Sequence, residues 1–293
     1  MVRLYDAAVD AGLLAGLPST APALASRLAL DEHAVRVVLD ALAAWDVVEP
    51  AGDAGYRTSA GAPGPEAAAV LRHHARVLRT WSAQLDDRLR GVAPDQRPFD
   101  LGRVERMLAS LTVLAREAAP GTVDACLSSV PGARRALDLG GGHGQYALEL
   151  ARRGVHVLMQ DLPEVVDAAR RRGLAEAGVE LFAGDFFEVL PEGPFDLVLC
   201  SGVTHTYDGE RNLELFRRIR PLLSPGGLLA VRTLLRGTDP VVAIFAVNML
   251  VAARGGDTHG EGDYRRWLAE AGYGEVAVRA LDQASEHLVL ASA

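Results

Sequence analysis

The second half of the chain alternates between short apolar runs and longer stretches in which apolar residues recur every three or four positions. From residue 134 the runs RALDLG, VHVLMQD, VELFAGD, FDLVLCSG and GLLAVRTLL have the length of buried strands, and stretches such as GQYALELARRG and PEVVDAARRRGLAEAG have helical spacing. This alternation predicts an α/β fold with a mostly parallel sheet between helices. At the end, GEVAVRALD and EHLVLASA are joined by QAS and predict an antiparallel hairpin.

The first 60 residues carry a different pattern. Three stretches of helical periodicity precede a glycine-rich segment, GDAGYRTSA, that has a short strand pattern. Ser19 or Thr20 is suited to cap the second helix, and Asp31 the third. The order of helix, helix, helix and small wing predicts a winged-helix unit. The breaker GAPGP then occupies residues 61–65, and the chain that follows is again helical.

Composition narrows the class of protein. Among 293 residues, 30 basic and 38 acidic side chains leave a formal charge of −8, the wrong sign for binding duplex DNA or an anionic membrane. The two cysteines show no metal-ligand spacing, so we expect no metal site.

The most apolar run, residues 241–253, is too short to span a bilayer and predicts a buried helix. Asp6 and Asp10 interrupt the first apolar stretch, which does not fit a secretory signal. We therefore expect a cytoplasmic protein.

The segment LDLGGGHG places four glycines between a predicted strand and a predicted helix. Gly140 and Gly142 allow the backbone to turn sharply, so that a ligand can approach the amides at the start of the helix. Asp161 ends the next strand, where a carboxylate accepts hydrogen bonds from ribose hydroxyls. Together these residues favour a nucleoside ligand, with a plain tight turn as the alternative. We expect His143, within the loop, to point to solvent.

The third strand ends in AGDFF. Asp185 is able to accept a hydrogen bond from an exocyclic amine, and Phe186 is able to cover the face of an adenine. Packing in the protein core is the alternative for both Phe186 and Phe187.

The motifs LDLGGGHG, QDLP, GDFF and RPLLSPGGLLAV, in this order and spacing, resemble those of class I S-adenosylmethionine-dependent methyltransferases. With the predicted winged helix, nearly the whole chain resembles the small-molecule O-methyltransferases of plant phenylpropanoid and bacterial antibiotic pathways. The resemblance implies a Rossmann-like domain with a seven-stranded sheet over residues 118–293, a helical linker and acceptor-pocket region over 61–117, and a dimerisation domain over 1–60. It implies S-adenosylmethionine as cofactor, a small-molecule acceptor and a homodimer. The positions that would contact the donor are Gly140, Gly142, Asp161, Leu162, Asp185, Phe186, Ser201 and Tyr207.

In the resembled family a histidine follows the fourth strand and acts as general base, and His205 in SGVTHTYDGERN occupies that position. A neutral imidazole is able to take a proton from a phenol; a histidine that caps the loop is the alternative.

Two glutamates that orient this base in the family correspond to Arg232 and Thr258. Asp257 or Glu261 is able to supply one carboxylate from nearby. Arg232 instead lowers the basicity of the imidazole by repulsion, or neutralises an acidic acceptor.

An apolar acceptor pocket is the remaining feature of the site. We expect it to form around Trp81, Met107, Leu111, Val241, Phe245, Asn248, Met249 and Arg232, with ordinary core packing as the alternative for its apolar members.

Two further functions stay open at this level. One is an enzyme that binds the donor but performs pericyclic, decarboxylation or hydroxylation chemistry. The other is a winged-helix transcriptional regulator, although four arginines against eight acidic residues in positions 1–60 suit phosphate contacts poorly. We expect no nucleic-acid partner.

Overall fold

The computed structural model describes residues 1–94, 101–281 and 285–293, and at positions 101 and 103 it describes the backbone alone. The chain forms two compact units, Met1–Arg79 and Thr80–Ala293, and the division falls inside one long helix. The predicted three-part division at residues 60 and 117 stays a prediction.

The first unit contains three short helices and a two-stranded antiparallel sheet, as the first 60 residues predicted. Thr20 Oγ1 accepts a hydrogen bond from the Ala23 amide at 3.4 Å, and Asp31 accepts one from the Ala34 amide at 2.8 Å. Both therefore cap helices as expected. The elements are α1 (Val2–Asp10), α2 (Ala21–Leu28), α3 (Glu32–Ala43), β1 (Val48–Pro50), β2 (Tyr56–Thr58) and the first part of α4 (Pro65–Leu89).

The second unit is built on a seven-stranded sheet. Its strand order is β5-β4-β3-β6-β7-β9-β8, and only β9 runs antiparallel to its neighbours. The strands are β3 (Arg135–Leu139), β4 (His156–Asp161), β5 (Val179–Ala183), β6 (Phe195–Ser201), β7 (Leu223–Leu234), β8 (Val276–Ala280) and β9 (Glu286–Ser292). The predicted parallel sheet and terminal hairpin are both confirmed, and positions 282–284 of the predicted turn lie outside the described residues.

Helices cover both faces of this sheet because its strands are apolar on both sides. On one face, Ala136 and its neighbours pack against α5 (Leu101–Ser129), α6 (Gln145–Arg152) and α7 (Pro163–Arg171). On the other, Leu137 and Leu139 pack with α8 (Gly209–Ile219) and α10 (Glu261–Glu270). The polar loops therefore collect at the carboxyl ends of β3 to β7, where parallel sheets place their ligands.

The apolar run at 241–253 forms the helix α9 (Pro240–Ala252), but the prediction that it is buried is wrong in part. Val242, Met249 and Val251 are buried, whereas 59% of Val241 and 60% of Ile244 are exposed within the single chain. The run is apolar on all sides, so its pattern could not indicate which face packs inward. Among the described helices, none combines the length and apolarity needed to cross a membrane.

Candidate active site

The glycine loop follows β3 and passes close to other segments. Gly140 has φ of 68°, and a Cβ atom there would lie 2.6 Å from Val203 Cγ2. A Cβ at Gly141 would lie 2.7 Å from Asp138 Oδ2. Side chains at these two positions would therefore fill the space above the loop, next to β3 and β6, in which a ligand could approach the backbone; we call this space the glycine cradle. Gly142, with φ of 50°, completes the turn before α6.

Asp161, at the end of β4, is linked to this loop by hydrogen bonds. Its Oδ2 accepts from the Gly142 amide at 2.8 Å and its Oδ1 from the Leu162 amide at 2.7 Å. Burial raises the pKa of this carboxyl to about 6, although both amides act in the opposite direction. Each carboxylate oxygen keeps a second lone pair, which is free to accept from a ribose hydroxyl.

Asp138 is a site residue that sequence reasoning missed. It is fully buried in β3, and neither carboxylate oxygen makes a hydrogen bond of good geometry within the described residues. Burial first, and then the charge of Asp161, raise its pKa to about 7, while the Ala147 amide lowers it. A buried carboxylate under a glycine cradle fits a ligand that carries a positive charge and amine donors. The signal available in the sequence was an acidic residue inside an otherwise apolar strand.

Aromatic side chains gather beside the glycine loop. The ring centroid of Tyr207 lies 6.1 Å from that of Phe186 and 5.1 Å from that of Phe187. Asp185 Oδ1 accepts a hydrogen bond from the Phe187 amide at 2.8 Å. Phe186 also lies close to Gly140, since a Cβ there would be 3.7 Å from its Cε1. The structure therefore places Phe186 and Tyr207, two of the predicted donor positions, in one aromatic cluster, with Phe186 next to Gly140.

His205 lies in a 3₁₀ turn, Thr204–Thr206, that follows β6. Its ring packs edge-on against Phe245 at 4.9 Å between centroids, and its buried Nδ1 has no hydrogen-bond partner among the described residues. Burial, with smaller effects from the charges of His259 and Arg232, lowers the pKa of His205 to about 4. The imidazole is therefore neutral at neutral pH and keeps a lone pair for a proton.

A buried hydrogen-bond network holds the turn that carries His205. Asn212 Nδ2 donates to the carbonyl oxygens of Thr204 at 2.9 Å and Tyr207 at 3.1 Å. The Tyr264 hydroxyl lies 2.6 Å from Thr204 Oγ1, and His259 Nε2 lies 2.9 Å from the Tyr207 carbonyl oxygen. Sequence reasoning missed this network because its members lie on three separate segments.

The carboxylates that sequence reasoning considered for His205 have other partners. Asp257 accepts hydrogen bonds from Arg236 and from the Thr258 amide, and Glu261 pairs with Arg265 on α10. The Asp257 amide instead donates to the His205 carbonyl oxygen at 3.0 Å. The loop after α9 therefore supports His205 through its backbone.

Arg232 lies next to this turn on β7 and forms an ion pair with Glu286 of β9. Its guanidinium carbon is 5.3 Å from the ring centroid of Tyr146, and Ser201 is its register partner on β6. Its charge also lowers the pKa of His143, which falls to about 4 mainly through burial. The expectation that His143 points to solvent is wrong in part, because the residue is half-buried. Its Nδ1 accepts from the Gln145 amide at 3.1 Å, and its ring packs on Tyr146 because the loop folds back over α6.

Apart from Arg232 on β7, the residues predicted to line an acceptor pocket lie on α4, α5 and α9, all within the second unit. Trp81 Nε1 donates to Asn248 Oδ1 at 3.4 Å, and Phe245 touches His205. Met249 is buried in α9, and Met107 is partly buried on α5 beside Leu108, which approaches Gly142. No group of three histidine, cysteine or acidic side chains suited to a metal ion occurs among the residues that the structure describes.

Comparison with known proteins gives the family. The family model described as O-methyltransferase domain matches residues 105–274. The chain belongs to the O-methyltransferase family. A relative from Streptomyces sahachiroi, 3-hydroxy-5-methyl-1-naphthoate 3-O-methyltransferase, is 32% identical over 94% of this chain and 86% of its own length. The 3-amino-4-hydroxybenzoate 4-O-methyltransferase of Streptomyces cremeus is 32% identical over 91% and 80%.

A solved structure of PigF with SAH matches this O-methyltransferase with a TM-score of 0.84 at 20% identity, covering all of this chain and 96% of that one. This likeness concerns the fold alone. The cofactor of the family is S-adenosylmethionine, and the buried Asp138 below the glycine cradle fits that positively charged donor.

Proposed function

We propose that this O-methyltransferase transfers a methyl group from S-adenosylmethionine to a hydroxyl of a small aromatic acceptor, with His205 taking the proton. The observation that carries the proposal is the convergence of the glycine loop, Asp161 and a neutral, unpartnered His205 nitrogen at one edge of the sheet. The two Streptomyces relatives support it, since their names describe O-methylation of ring hydroxyls on a naphthoate and a benzoate.

Each predicted donor residue has a task in this proposal. Asp161 accepts from the ribose hydroxyls, and Gly140 and Gly142 let the donor approach the backbone. Asp138 faces its positively charged methionine end. The purine and the outer edge of the donor are held by Leu162, Asp185, Phe186, Ser201 and Tyr207.

The bound donor supplies a methyl group on a sulfonium sulfur, which is an electrophile. Since the pKa of His205 is about 4, its imidazole is present in the neutral form over the whole physiological range. Its low basicity makes it a weak acceptor of the proton from a phenol with pKa near ~10. Most of the acceleration then comes from holding the hydroxyl next to the methyl group, and proton removal contributes a smaller part.

The acceptor lies, in this proposal, against Phe245, Asn248 and Met249 of α9 and Met107 of α5, with Arg232 at its polar end. We further propose a cytoplasmic homodimer without a nucleic-acid partner. The net charge of −8 and the family resemblance of residues 1–60 support this assignment.

Incubation with methyl-labelled S-adenosylmethionine and a panel of hydroxyarenes tests the proposal. We expect labelled ether products and a turnover that falls at least tenfold in His205→Ala. His156→Ala, an exposed histidine at the start of β4, is the matched control and should keep its turnover. Tight donor binding without any methylated product would instead favour non-methylating chemistry.

A further inference from the structure

Arg232 is fixed near the carboxyl end of β7 by both neighbouring strands. It pairs in register with Ser201 of β6 and Leu288 of β9. Its carbonyl oxygen accepts a hydrogen bond from the Gly202 amide at 3.0 Å. Gly202 begins the segment that carries His205, and we call residues 202–205 the reaction loop. The hydrogen bond therefore ties the backbone at Arg232 to the reaction loop.

The charge of Arg232 is almost entirely removed from water. Only 12% of its side chain is exposed, and burial lowers its pKa. A buried guanidinium costs much free energy unless it is paired and fully hydrogen-bonded. Glu286, whose side chain is 24% exposed, supplies one ion pair.

This pairing leaves a donor unused. A guanidinium has five N–H groups, and Arg232 Nε is buried without a hydrogen-bond partner among the described residues. Buried donors without partners are uncommon in folded proteins and call for an explanation. A ligand that arrives during the reaction cycle is one such partner.

The histidines near Arg232 add no positive charge of their own to the site. The charge of Arg232 contributes to the low pKa values of His143 and His205, both about 4, and both imidazoles are therefore neutral. Asp138 is an acidic group whose charge, like that of Arg232, affects Tyr146, and its own pKa is raised to about 7. Arg232 is thus a cation between the glycine loop and the reaction loop.

We propose that Arg232 binds the carboxylate of the acceptor, so that the acceptor class is the hydroxyaryl carboxylic acids; this rests on the proposed function. The planar guanidinium matches a carboxylate in shape and charge. Anchoring that group beside β7 holds the ring of the acceptor near His205. Glu286 keeps Arg232 paired while the acceptor is absent, and gives way when the acid binds.

A carboxylate has a second source at this place, the methionine end of the donor. Arg232 lies against Tyr146, which packs on His143 of the glycine loop, and its backbone is bonded to Gly202 before His205, so its position allows both sources. Experiment separates the two sources, because one carboxylate belongs to the acceptor and the other to the donor, and the binding of each can be measured by itself.

The first arm measures acceptor binding by calorimetry on the enzyme saturated with S-adenosylhomocysteine. The probes are meta-hydroxybenzoate and meta-hydroxybenzamide, and a naphthoate pair that differs in the same way. We expect Arg232→Gln to weaken binding of the acids at least tenfold and of the carboxamides less than threefold. Wild-type protein that binds acids no better than carboxamides would overturn the proposal.

Glu286→Gln gives a prediction of opposite sign. Removing the competing negative charge should tighten binding of the acids several-fold and leave the carboxamides unchanged. The double variant Arg232→Gln/Glu286→Gln has no unpaired buried charge, so it tests the loss of acid binding if Arg232→Gln fails to fold. Arg170→Gln, which alters an exposed pair with Asp167, is the surface control.

The second arm compares S-adenosylhomocysteine with 5′-methylthioadenosine, which has no carboxylate. If Arg232→Gln weakens only the first of these and spares the acids, Arg232 serves the donor and the proposal is wrong. Both arms measure equilibrium binding and require no turnover. A failure of the proposed function, seen as acid binding without methylation, therefore remains distinguishable from a failure of this inference.

Discussion

At the scale of single residues, Asp138 lowers the stability of the fold by its burial, and in the proposed function it helps to bind the donor. Its side chain is fully buried, and burial raises its pKa to about 7. A carboxyl with a raised pKa in the folded state stabilises that state only while it is protonated, so stability is lost as pH rises from its ordinary value of 3.8 to about 7. A positively charged donor compensates this loss when it binds above neutral pH.

Asp138→Asn should therefore stabilise the donor-free protein at alkaline pH. We expect the free energy of unfolding to increase by about 2 kcal/mol at pH 8, and the difference to shrink toward zero as pH falls to 4. Urea denaturation at several pH values measures this. The same variant should bind S-adenosylhomocysteine at least tenfold more weakly. A variant that is less stable than wild type at pH 8 would contradict our account.

Several site residues could be anticipated from the sequence, and some could not. Asp161 was predictable because its distance from the glycine loop follows from one strand-helix-strand unit. The burial of His143 could not be predicted, since it depends on how the loop folds back over Tyr146. The ion pair between Arg232 and Glu286 joins residues 54 positions apart across two strands, and only their register brings them together.

At the scale of elements, side chains of α8 and α10 hold the turn that follows β6 through hydrogen bonds. The carboxylates expected to orient His205 do not take part. Asn212 of α8 donates to two carbonyl oxygens of the turn, and Tyr264 of α10 contacts Thr204. These bonds are neutral, so they fix His205 in position without raising its basicity.

Asn212→Ala should loosen this turn and disturb the donor site less, because Tyr207 is the donor-site residue of the turn that loses a backbone bond. The loss of two buried hydrogen bonds leaves two carbonyl oxygens unpaired, and we expect kcat to fall about tenfold through poorer positioning of His205. The dissociation constant of S-adenosylhomocysteine should rise by less than about threefold, since the side chain of Tyr207 keeps its own contacts with Phe186 and Phe187. Glu214→Ala, on the partly exposed side of α8, is the control. Equal losses in kcat and donor affinity would point to general unfolding instead.

The loop between α9 and α10 has little space around Gly256. A Cβ atom at this position would overlap the carbonyl oxygen of Met249. We expect Gly256→Ala to lower the free energy of unfolding by about 2 kcal/mol. Gly262, in α10, has nothing within 4 Å of such an atom, and Gly262→Ala should stabilise the helix by about 0.5–1 kcal/mol. Urea denaturation of the two variants checks both signs, and equal effects would contradict the steric argument.

The elements themselves were largely predictable, because strands and helices of the second unit differ clearly in apolar period. The helix α9 shows the limit of this reasoning. Its residues are apolar on every side, so the pattern gives its type but leaves open that Val241 and Ile244 face outward in the single chain.

At the scale of the whole molecule, we expect this O-methyltransferase to form a homodimer. The exposed apolar side chains of α9 add to the expectation from family resemblance, since covering such groups favours association. Native mass spectrometry at micromolar concentration should show twice the mass of the chain. A monomer under these conditions would contradict the prediction.

The position of β9 has a consequence for synthesis on the ribosome. This strand is the last of the described strands to be made, yet it lies between β7 and β8 in the sheet. Until it emerges, the nascent chain exposes an unpaired edge of β7, and β8 has no neighbour. Glu286 enters the sheet with β9, so the buried guanidinium of Arg232 gains its partner only when β9 pairs with β7.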